Sequence, residues 1–203
     1  MSILRWFGVL AVFLALGAAC GRKPVVQILD VPADTLAQSY WQVPPFALTE
    51  RNGRTITRDD LAGKVWVVDF FYTTCPGPCP MLSSRLSEIQ KEIGGDDRVR
   101  LVSISTDPEK DTPEILQLYA KRFEASERWL FLTGNKEQIY QLGRQGFKVP
   151  IVEDRTAADP ITHSTRLILV DQSGAIRGFH DGIGPDGSKQ LVRDIRRLLA
   201  ETP

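Results

Sequence analysis

The sequence predicts an α/β domain with a central mixed β-sheet. Strand patterns and helical patterns alternate along the chain between residues 65 and 199. This alternation is typical of β-α-β units, whose right-handed crossovers make neighbouring strands parallel. Two further signals add antiparallel strands: an Asn-Gly pair between short apolar runs near the start of the domain, and two strands joined by a tight turn near its end.

The composition is that of an ordinary globular protein. The chain has 203 residues, enough for one domain with an ample core. Its 25 basic residues balance 25 acidic ones, so nothing in the charge favours nucleic acid or another strongly charged partner. The three cysteines are too few for a disulfide framework, and we interpret Cys20 separately from the other two.

Residues 1–19 have the pattern of a secretory signal sequence: Arg5, a short apolar run, then small residues. Cys20 follows and resembles the lipidated cysteine of the bacterial lipobox, although Gly17 stands where leucine is usual. An uncleaved short anchor and ordinary cleavage are the alternatives. In each case the domain lies outside the cytoplasm. We expect lipidation, which would anchor it to the extracytoplasmic face of the membrane, in the bacterial periplasm or at the cell surface.

The domain itself is predicted to span residues 41–203. Residues 20–40 mix charge, proline and scattered apolar residues, and we interpret them as a tether. Arg51-Asn52-Gly53 lies between the apolar runs 46–48 and 54–56, which predicts an N-terminal β-hairpin.

The next elements enclose a pair of cysteines. Residues 65–71 predict a buried strand, and the apolar spacing after residue 80 predicts a helix. Between them lies Cys75-Pro76-Gly77-Pro78-Cys79-Pro80, in which Pro80 suits the first helical position and Cys79 the N-cap. A dithiol at the first strand-to-helix turn predicts a thioredoxin-like redox fold, although three residues separate the thiols here instead of two.

The remaining elements follow in order. Asp111 or Thr112 should cap the second helix, whose apolar face should contain Ile115. The segment 146–162 has little periodicity and predicts an irregular insertion before the late strands, of the kind that is often functional. The predicted strands are 99–105, 129–132, 166–170 and 175–179, and the predicted helices are 113–123, 138–144 and 191–199.

The wide cysteine spacing is compatible with two kinds of chemistry. A disulfide needs Cα atoms within roughly 4.4 to 6.8 Å, and a turn centred on Gly77 can close that far. The same turn could hold two thiolates as ligands for a soft ion such as Cu(I), and an added imidazole would let it serve Cu(II) as well. A structural zinc site would have an open fourth position.

Two histidines could supply the imidazole. His163 ends the insertion, just before a strong strand, where a loop at the sheet edge can approach the dithiol turn. His180 ends the last strand beside Asp181-Gly182, and we expect it in an exposed turn. The residues alone leave His163 open between a ligand and an ordinary surface or core histidine.

Four segments in order closely resemble the Sco/SenC family: 71–80, 105–113, 131–134, and His163-Ser164 leading into 169–174. Members are membrane-tethered copper-binding proteins with a thioredoxin-like fold, involved in building the binuclear copper centre of cytochrome c oxidase. The resemblance implies that Cys75, Cys79 and His163 bind copper together.

The match has one departure. Members commonly have aspartate before the histidine, where this chain has Thr162, which puts the tuning of the site by surrounding groups in doubt. Asp107 and Asp111 match family positions too, but turn formation and capping explain them without a role as ligands.

The resemblance implies a copper chaperone that passes copper by ligand exchange to a copper-site subunit of the oxidase. It would depend on an upstream periplasmic copper donor or thiol reductant. The alternative is a thiol-disulfide oxidoreductase, with Cys75 and Cys79 as catalytic residues, that keeps the oxidase copper-site cysteines reduced. A peroxidase fits less well because it would use one low-pKa thiol, whereas this turn pairs two.

Overall fold

The computed structural model describes residue 36 and residues 38–154, 156–157 and 160–201. The predicted signal sequence, the predicted lipidation site at Cys20 and most of the predicted tether lie outside the described residues. Within the described ranges, no helix combines the length and hydrophobicity that a membrane crossing requires.

Strands and helices alternate through the described part of the chain. The strands are β1 (Ala47–Glu50), β2 (Thr55–Thr57), β3 (Val65–Phe71), β4 (Val99–Ser105), β5 (Trp129–Thr133), β6 (Ile151–Glu153), β7 (Ile161–His163), β8 (Arg166–Val170) and β9 (Ile176–Asp181). The α-helices are α1 (Cys79–Ile93), α2 (Pro113–Arg122), α3 (Lys136–Gln141) and α4 (Gly187–Ala200). A 3-10 turn covers Asp59–Leu61, and a π-helical turn, Leu142–Gly146, continues α3.

Seven strands form one mixed sheet in the order β2-β1-β5-β4-β3-β8-β9. The central β3 pairs in parallel with β4, and β4 in parallel with β5, through the crossover helices α1 and α2. The pairs β1 with β5, β3 with β8, and β8 with β9 are antiparallel. This arrangement confirms the predicted α/β, thioredoxin-like fold with a central mixed sheet.

The predicted N-terminal hairpin is confirmed. Strands β1 and β2 pair antiparallel, with Leu48 opposite Ile56. Gly53 in the connecting turn has a φ of 85°, a left-handed conformation that favours glycine.

The insertion before the late strands is more ordered than its sequence indicated. Strands β6 and β7 form a two-stranded hairpin outside the main sheet, with Ile151 opposite His163 and Glu153 opposite Ile161. Each strand has only three residues, too few to show an alternating pattern. The β-branched residues of both strands favour an extended backbone, but segments this short give no pattern that distinguishes them from a loop.

Two sequence expectations are wrong. His180 lies within β9, buried and 3.8 Å from the carboxylate of Asp194 on α4, not in an exposed turn. Strand alternation turns it towards the helix, because β9 buries every second side chain. Ile115 is 40% exposed, since α2 turns Leu116, Tyr119 and Ala120 towards the sheet instead.

Candidate metal centre

The two thiols lie in the turn between the end of β3 and the first residue of α1. All seven residues of β3 are buried, which fixes the strand end from which the turn starts. Helix α1 begins at Cys79 with Pro78 as the N-cap, one position earlier than predicted. Both thiols are free, and Cys75 is 7% exposed whereas Cys79 is completely buried. Both cysteines are therefore buried, and Cys75 keeps slightly more exposed surface than Cys79.

Asp111 stabilises the turn that carries the thiols through hydrogen bonds. The sequence interpretation assigned this residue to capping or turn formation. Its carboxylate accepts hydrogen bonds from the backbone N–H of Thr73 (3.1 Å), from the Thr73 hydroxyl (2.5 Å) and from the Ser105 hydroxyl (2.6 Å). The cap of α2 is Thr112 instead. Asp111 thus connects the loop after β4 to the segment that leads into Cys75.

His163 reaches the thiols from the β6–β7 hairpin. Its Nε2 lies 3.1 Å from Sγ of Cys79, and its Nδ1 lies 3.0 Å from the carbonyl oxygen of Ser164. Because a carbonyl only accepts, the Nδ1 carries the proton and the Nε2 lone pair faces the thiols. The ring packs edge-on against Tyr72, with centroids 5.9 Å apart.

The structure brings together all three residues that the sequence singled out. The two Sγ atoms and an imidazole nitrogen lie within 4.8 Å of one another. Two sulfurs and one nitrogen form a soft donor set that fits copper. Zinc in a structural site would need a fourth ligand, and no Asp, Glu, Cys or further His joins this cluster among the described residues.

The surroundings make the two thiols unequal. Burial opposes ionisation of Cys75, but the interaction of its thiol with the His163 imidazole, together with hydrogen bonds from the Cys79 thiol and from the backbone N–H groups of Cys79 and Gly77, outweighs burial and lowers the Cys75 pKa to about 7. Burial, reinforced by the neighbouring Cys75 sulfur, raises the pKa of Cys79. In the metal-free protein Cys75 is therefore the more readily formed thiolate.

Asp69 is a buried carboxylate that the sequence interpretation did not single out. Asp69 lies in the middle of β3 and is 1% exposed. Its Oδ1 accepts a hydrogen bond from the Ser103 hydroxyl at 2.5 Å, while its Oδ2 has no partner among the described residues. Burial raises the Asp69 pKa to about 6, against the lowering influences of Ser103 and His163. The only sequence signal for this buried carboxylate was a charged residue inside an otherwise apolar strand pattern.

Neither Asp107 nor Thr162 joins the donor cluster. Asp107 is buried, and its carboxylate pairs with Lys110 at 3.2 Å. Thr162 is exposed and lies opposite Val152, so the alternation of β7 points it away from the face that carries His163. A carboxylate at position 162 in this backbone would also point away from the imidazole.

A family model described as SCO1/SenC matches residues 35–200 of the chain. The chain is 27% identical to the "SCO1 protein homolog" of Bacillus subtilis over 199 residues, which cover 97% of each protein.

Solved structures with high similarity have the same fold. A SCO1/SenC family lipoprotein from Bacillus anthracis has a TM-score of 0.72 and 31% identity, covering 79% of this chain and 96% of that one. BsSco, described as a cytochrome c oxidase assembly protein with a disulfide switch, has a TM-score of 0.71 and 27% identity, covering 80% and 95%. Copper-bound ScoI of Bradyrhizobium japonicum has a TM-score of 0.66 and 26% identity, covering 78% and 99%.

Proposed function

The chain belongs to the SCO1/SenC family, and from this membership we propose that Cys75, Cys79 and His163 bind copper for delivery to the binuclear copper site of cytochrome c oxidase. The observation that carries the proposal is the cluster of three soft donor atoms within 4.8 Å. The copper-bound relative and the oxidase assembly role of BsSco support it.

Each ligand has a distinct part in this proposal. Cys75 and Cys79 would hold Cu(I) as thiolates, and His163 would complete the site and allow Cu(II) to bind as well. Binding displaces the thiol protons, so the readily ionised Cys75 favours uptake near neutral pH. Among the three ligands His163 is the only one that is not buried, so an acceptor would approach from its side and take the copper by ligand exchange.

The proposal is tested by copper titration of the reduced full-length protein. We expect one copper per chain, with an affinity that falls more than about 100-fold in His163→Ala and Cys75→Ser, beyond the loss caused by removing a group that only orients a ligand. His180→Gln is the matched control, because it removes the other histidine. Stoichiometric binding that neither ligand variant weakens would exclude the assignment.

A second function is favoured by the unequal ionisation of the thiols, because the pKa of Cys75 is lowered and that of Cys79 is raised. We propose as the alternative that the pair reduces a disulfide in the oxidase copper site. The Cys75 thiolate would attack one target sulfur, breaking the target disulfide and forming a mixed disulfide. The Cys79 thiolate would then attack the Cys75 sulfur, releasing the reduced target and leaving a Cys75–Cys79 disulfide. An upstream thiol reductant would restore the pair.

His163→Ala separates the two functions. A carrier loses copper binding and oxidase maturation together, because the imidazole is a ligand. A reductase keeps most of its disulfide-reduction activity while copper binding falls, because the imidazole only favours the Cys75 thiolate and forms no bond to an exchanging sulfur.

We also propose that the protein works from a membrane anchor outside the cytoplasm, with residues 1–19 as signal sequence and residues 20–40 as tether. The B. anthracis relative, a lipoprotein, supports lipidation at Cys20. Mass spectrometry of the membrane-extracted protein tests this directly, since a mature chain that starts at lipidated Cys20 has a distinct mass. An unmodified Cys20 would contradict it.

A further inference from the structure

The β6–β7 hairpin supplies the imidazole but belongs neither to the main sheet nor to the turn that carries the thiols. Ile151 of β6 lies directly opposite His163 of β7. The position of the imidazole relative to Cys79 therefore depends on what holds Ile151.

The backbone of Ile151 is held by Arg144. The guanidinium donates from Nε and Nη2 to the carbonyl oxygen of Ile151, at 3.1 and 2.7 Å. Two bonds from one rigid cationic fork constrain the carbonyl in direction as well as distance. Arg144 lies in the π-helical turn Leu142–Gly146, and π-turns are frequent at functional sites.

The side chain of Ile151 is held by the same turn. A Cβ atom at Gly143 would collide with Cδ1 of Ile151, so the turn and β6 are in the closest contact that a glycine permits. Ile151 has no exposed surface. Both the main chain and the side chain of this residue are therefore fixed by two consecutive residues, Gly143 and Arg144.

Arg144 is in turn connected to the strand that carries the thiols. Its guanidinium lies over the ring of Tyr140, 5.4 Å from the centroid. The Tyr140 hydroxyl donates to the carbonyl oxygen of Thr106 at 3.2 Å, and the Thr106 N–H donates to the carbonyl oxygen of Phe71 at 2.7 Å. Phe71 ends β3, so a continuous series of contacts joins the dithiol turn to the hairpin.

A second cation ties the hairpin more weakly. Lys136 on α3 lies 2.7 Å from Glu153 of β6 and 3.3 Å from Glu109. These are pairs between partly exposed side chains, which contribute little. Replacing Lys136 therefore provides a comparison: the hairpin loses a cation that contacts it from α3, while the Ile151 carbonyl keeps its hydrogen bonds from Arg144.

We propose that Arg144 is a positioning residue that fixes the backbone of Ile151 and thereby holds His163 within reach of the Cys79 thiol. The inference rests on the proposed function, because it concerns the third ligand of the same site. When Arg144 is removed, the hairpin is free to move away from the start of α1, and the buried Cys79 becomes accessible.

The first test uses the reduced, metal-free, full-length protein. Hydrogen exchange of the hairpin amides and alkylation of Cys79 by iodoacetamide, both read by peptide mass spectrometry, should be about tenfold faster in Arg144→Ala, since charge-assisted bonds to the carbonyl are lost. Arg144→Lys, which keeps one donor, should fall between. Lys136→Ala should show a smaller change, and Arg193→Ala, exposed on α4, none. Unchanged exchange and alkylation in Arg144→Ala would overturn the proposal.

The second test measures copper affinity in a double-mutant cycle. Arg144→Ala should weaken copper binding about tenfold in the native background. It should have no further effect in His163→Ala, because the imidazole that Arg144 positions is already absent there. An equal loss in both backgrounds would overturn the positioning role and indicate general structural damage.

The two proposals fail in different ways. If His163→Ala leaves copper binding unchanged, the ligand assignment fails, but the metal-free measurements still decide whether Arg144 holds the hairpin. If Arg144→Ala does not fold, the decision passes to Arg144→Lys. If Arg144→Lys has the far-ultraviolet circular dichroism spectrum of the native protein but faster hydrogen exchange of the hairpin amides, the proposal is supported. If its hairpin amides exchange as slowly as those of the native protein, the proposal is contradicted.

Discussion

Replacement of Asp69 by asparagine should change how the stability of the metal-free protein depends on pH. The carboxyl group is 1% exposed, and burial raises its pKa from 3.8 to about 6. Between these values the folded protein keeps a proton that the unfolded chain releases. Stability therefore falls as pH rises through this window, and the loss is complete above about pH 6.

The magnitude follows from the pKa difference. At about 1.4 kcal/mol per pKa unit, the change from 3.8 to about 6 corresponds to about 3 kcal/mol. The asparagine side chain has no charge to bury, so the variant should lose none of this energy between pH 4 and pH 7. Its amide nitrogen replaces the unpartnered Oδ2 and leaves two buried N–H donors without an acceptor, which costs at least about 1 to 3 kcal/mol at every pH. The change in the free energy of unfolding with pH, not its absolute value, therefore tests the raised pKa of Asp69.

The assay is urea unfolding of the reduced, metal-free protein from pH 4 to pH 8, followed by tryptophan fluorescence. We expect the free energy of unfolding of Asp69→Asn minus that of the native protein to rise by about 2.4 kcal/mol from pH 4 to pH 7, because part of the full change occurs below pH 4. Titrating groups that do not interact with Asp69 cancel in this difference because both proteins contain them. Asp96→Asn is the control: hydrogen bonds from Arg98 lower the Asp96 pKa to about 2, so its effect belongs to more acidic solutions. Parallel profiles for Asp69→Asn and the native protein would refute the reasoning.

Three further substitutions have defined outcomes. Asp111→Ala should lower the free energy of unfolding by about 3 kcal/mol and weaken copper binding, because three bonds from Thr73 and Ser105 are lost. His180→Gln should flatten the loss of stability below about pH 6.5, because burial lowers the His180 pKa and the unfolded chain takes up the proton first. Thr112→Ala should cost about 1 kcal/mol, because the N-cap of α2 is lost. Chemical unfolding and copper titration measure all three.

Each of these substitutions has its own comparison. Asp59→Ala removes a carboxylate that is 84% exposed and should change stability by less than about 0.5 kcal/mol. A loss as small in Asp111→Ala would contradict the buttressing role of that residue. An unchanged acid slope in His180→Gln would show that another group controls it. Thr112→Ser should restore the cap, and a serine variant as unstable as the alanine variant would exclude capping as the cause.

The sequence predicted the parts of the molecule that local patterns encode. The apolar run of β3 and the Asn-Gly turn after β1 each predicted the correct element. The two cysteines marked the strand-to-helix turn, and the motif resemblance selected His163 over His180. The ligand set itself remains a prediction until copper binding is measured.

The features that the sequence did not predict depend on contacts between side chains that local patterns do not reveal. Nothing near Asp111 indicates that its carboxylate reaches back 38 positions to Thr73. The three-residue strands β6 and β7 are too short to show a period, and the contacts of Ile151 with Arg144 and Gly143 are not encoded in local periodicity. His180 was placed wrongly because its burial depends on α4, whose packing across β9 is not encoded in the neighbouring residues.

The prolines at the start of α1 have a consequence for competition by dissolved ions. A helix start usually offers several free N–H groups that attract phosphate or other anions. Here Pro78 and Pro80 have no N–H, the Met81 N–H donates to the carbonyl of Pro78, and the Cys79 N–H faces the sulfur of Cys75. The turn therefore directs its available donors, the N–H groups of Gly77 and Cys79, to its own thiolate, so this helix start should offer phosphate and other anions no binding site.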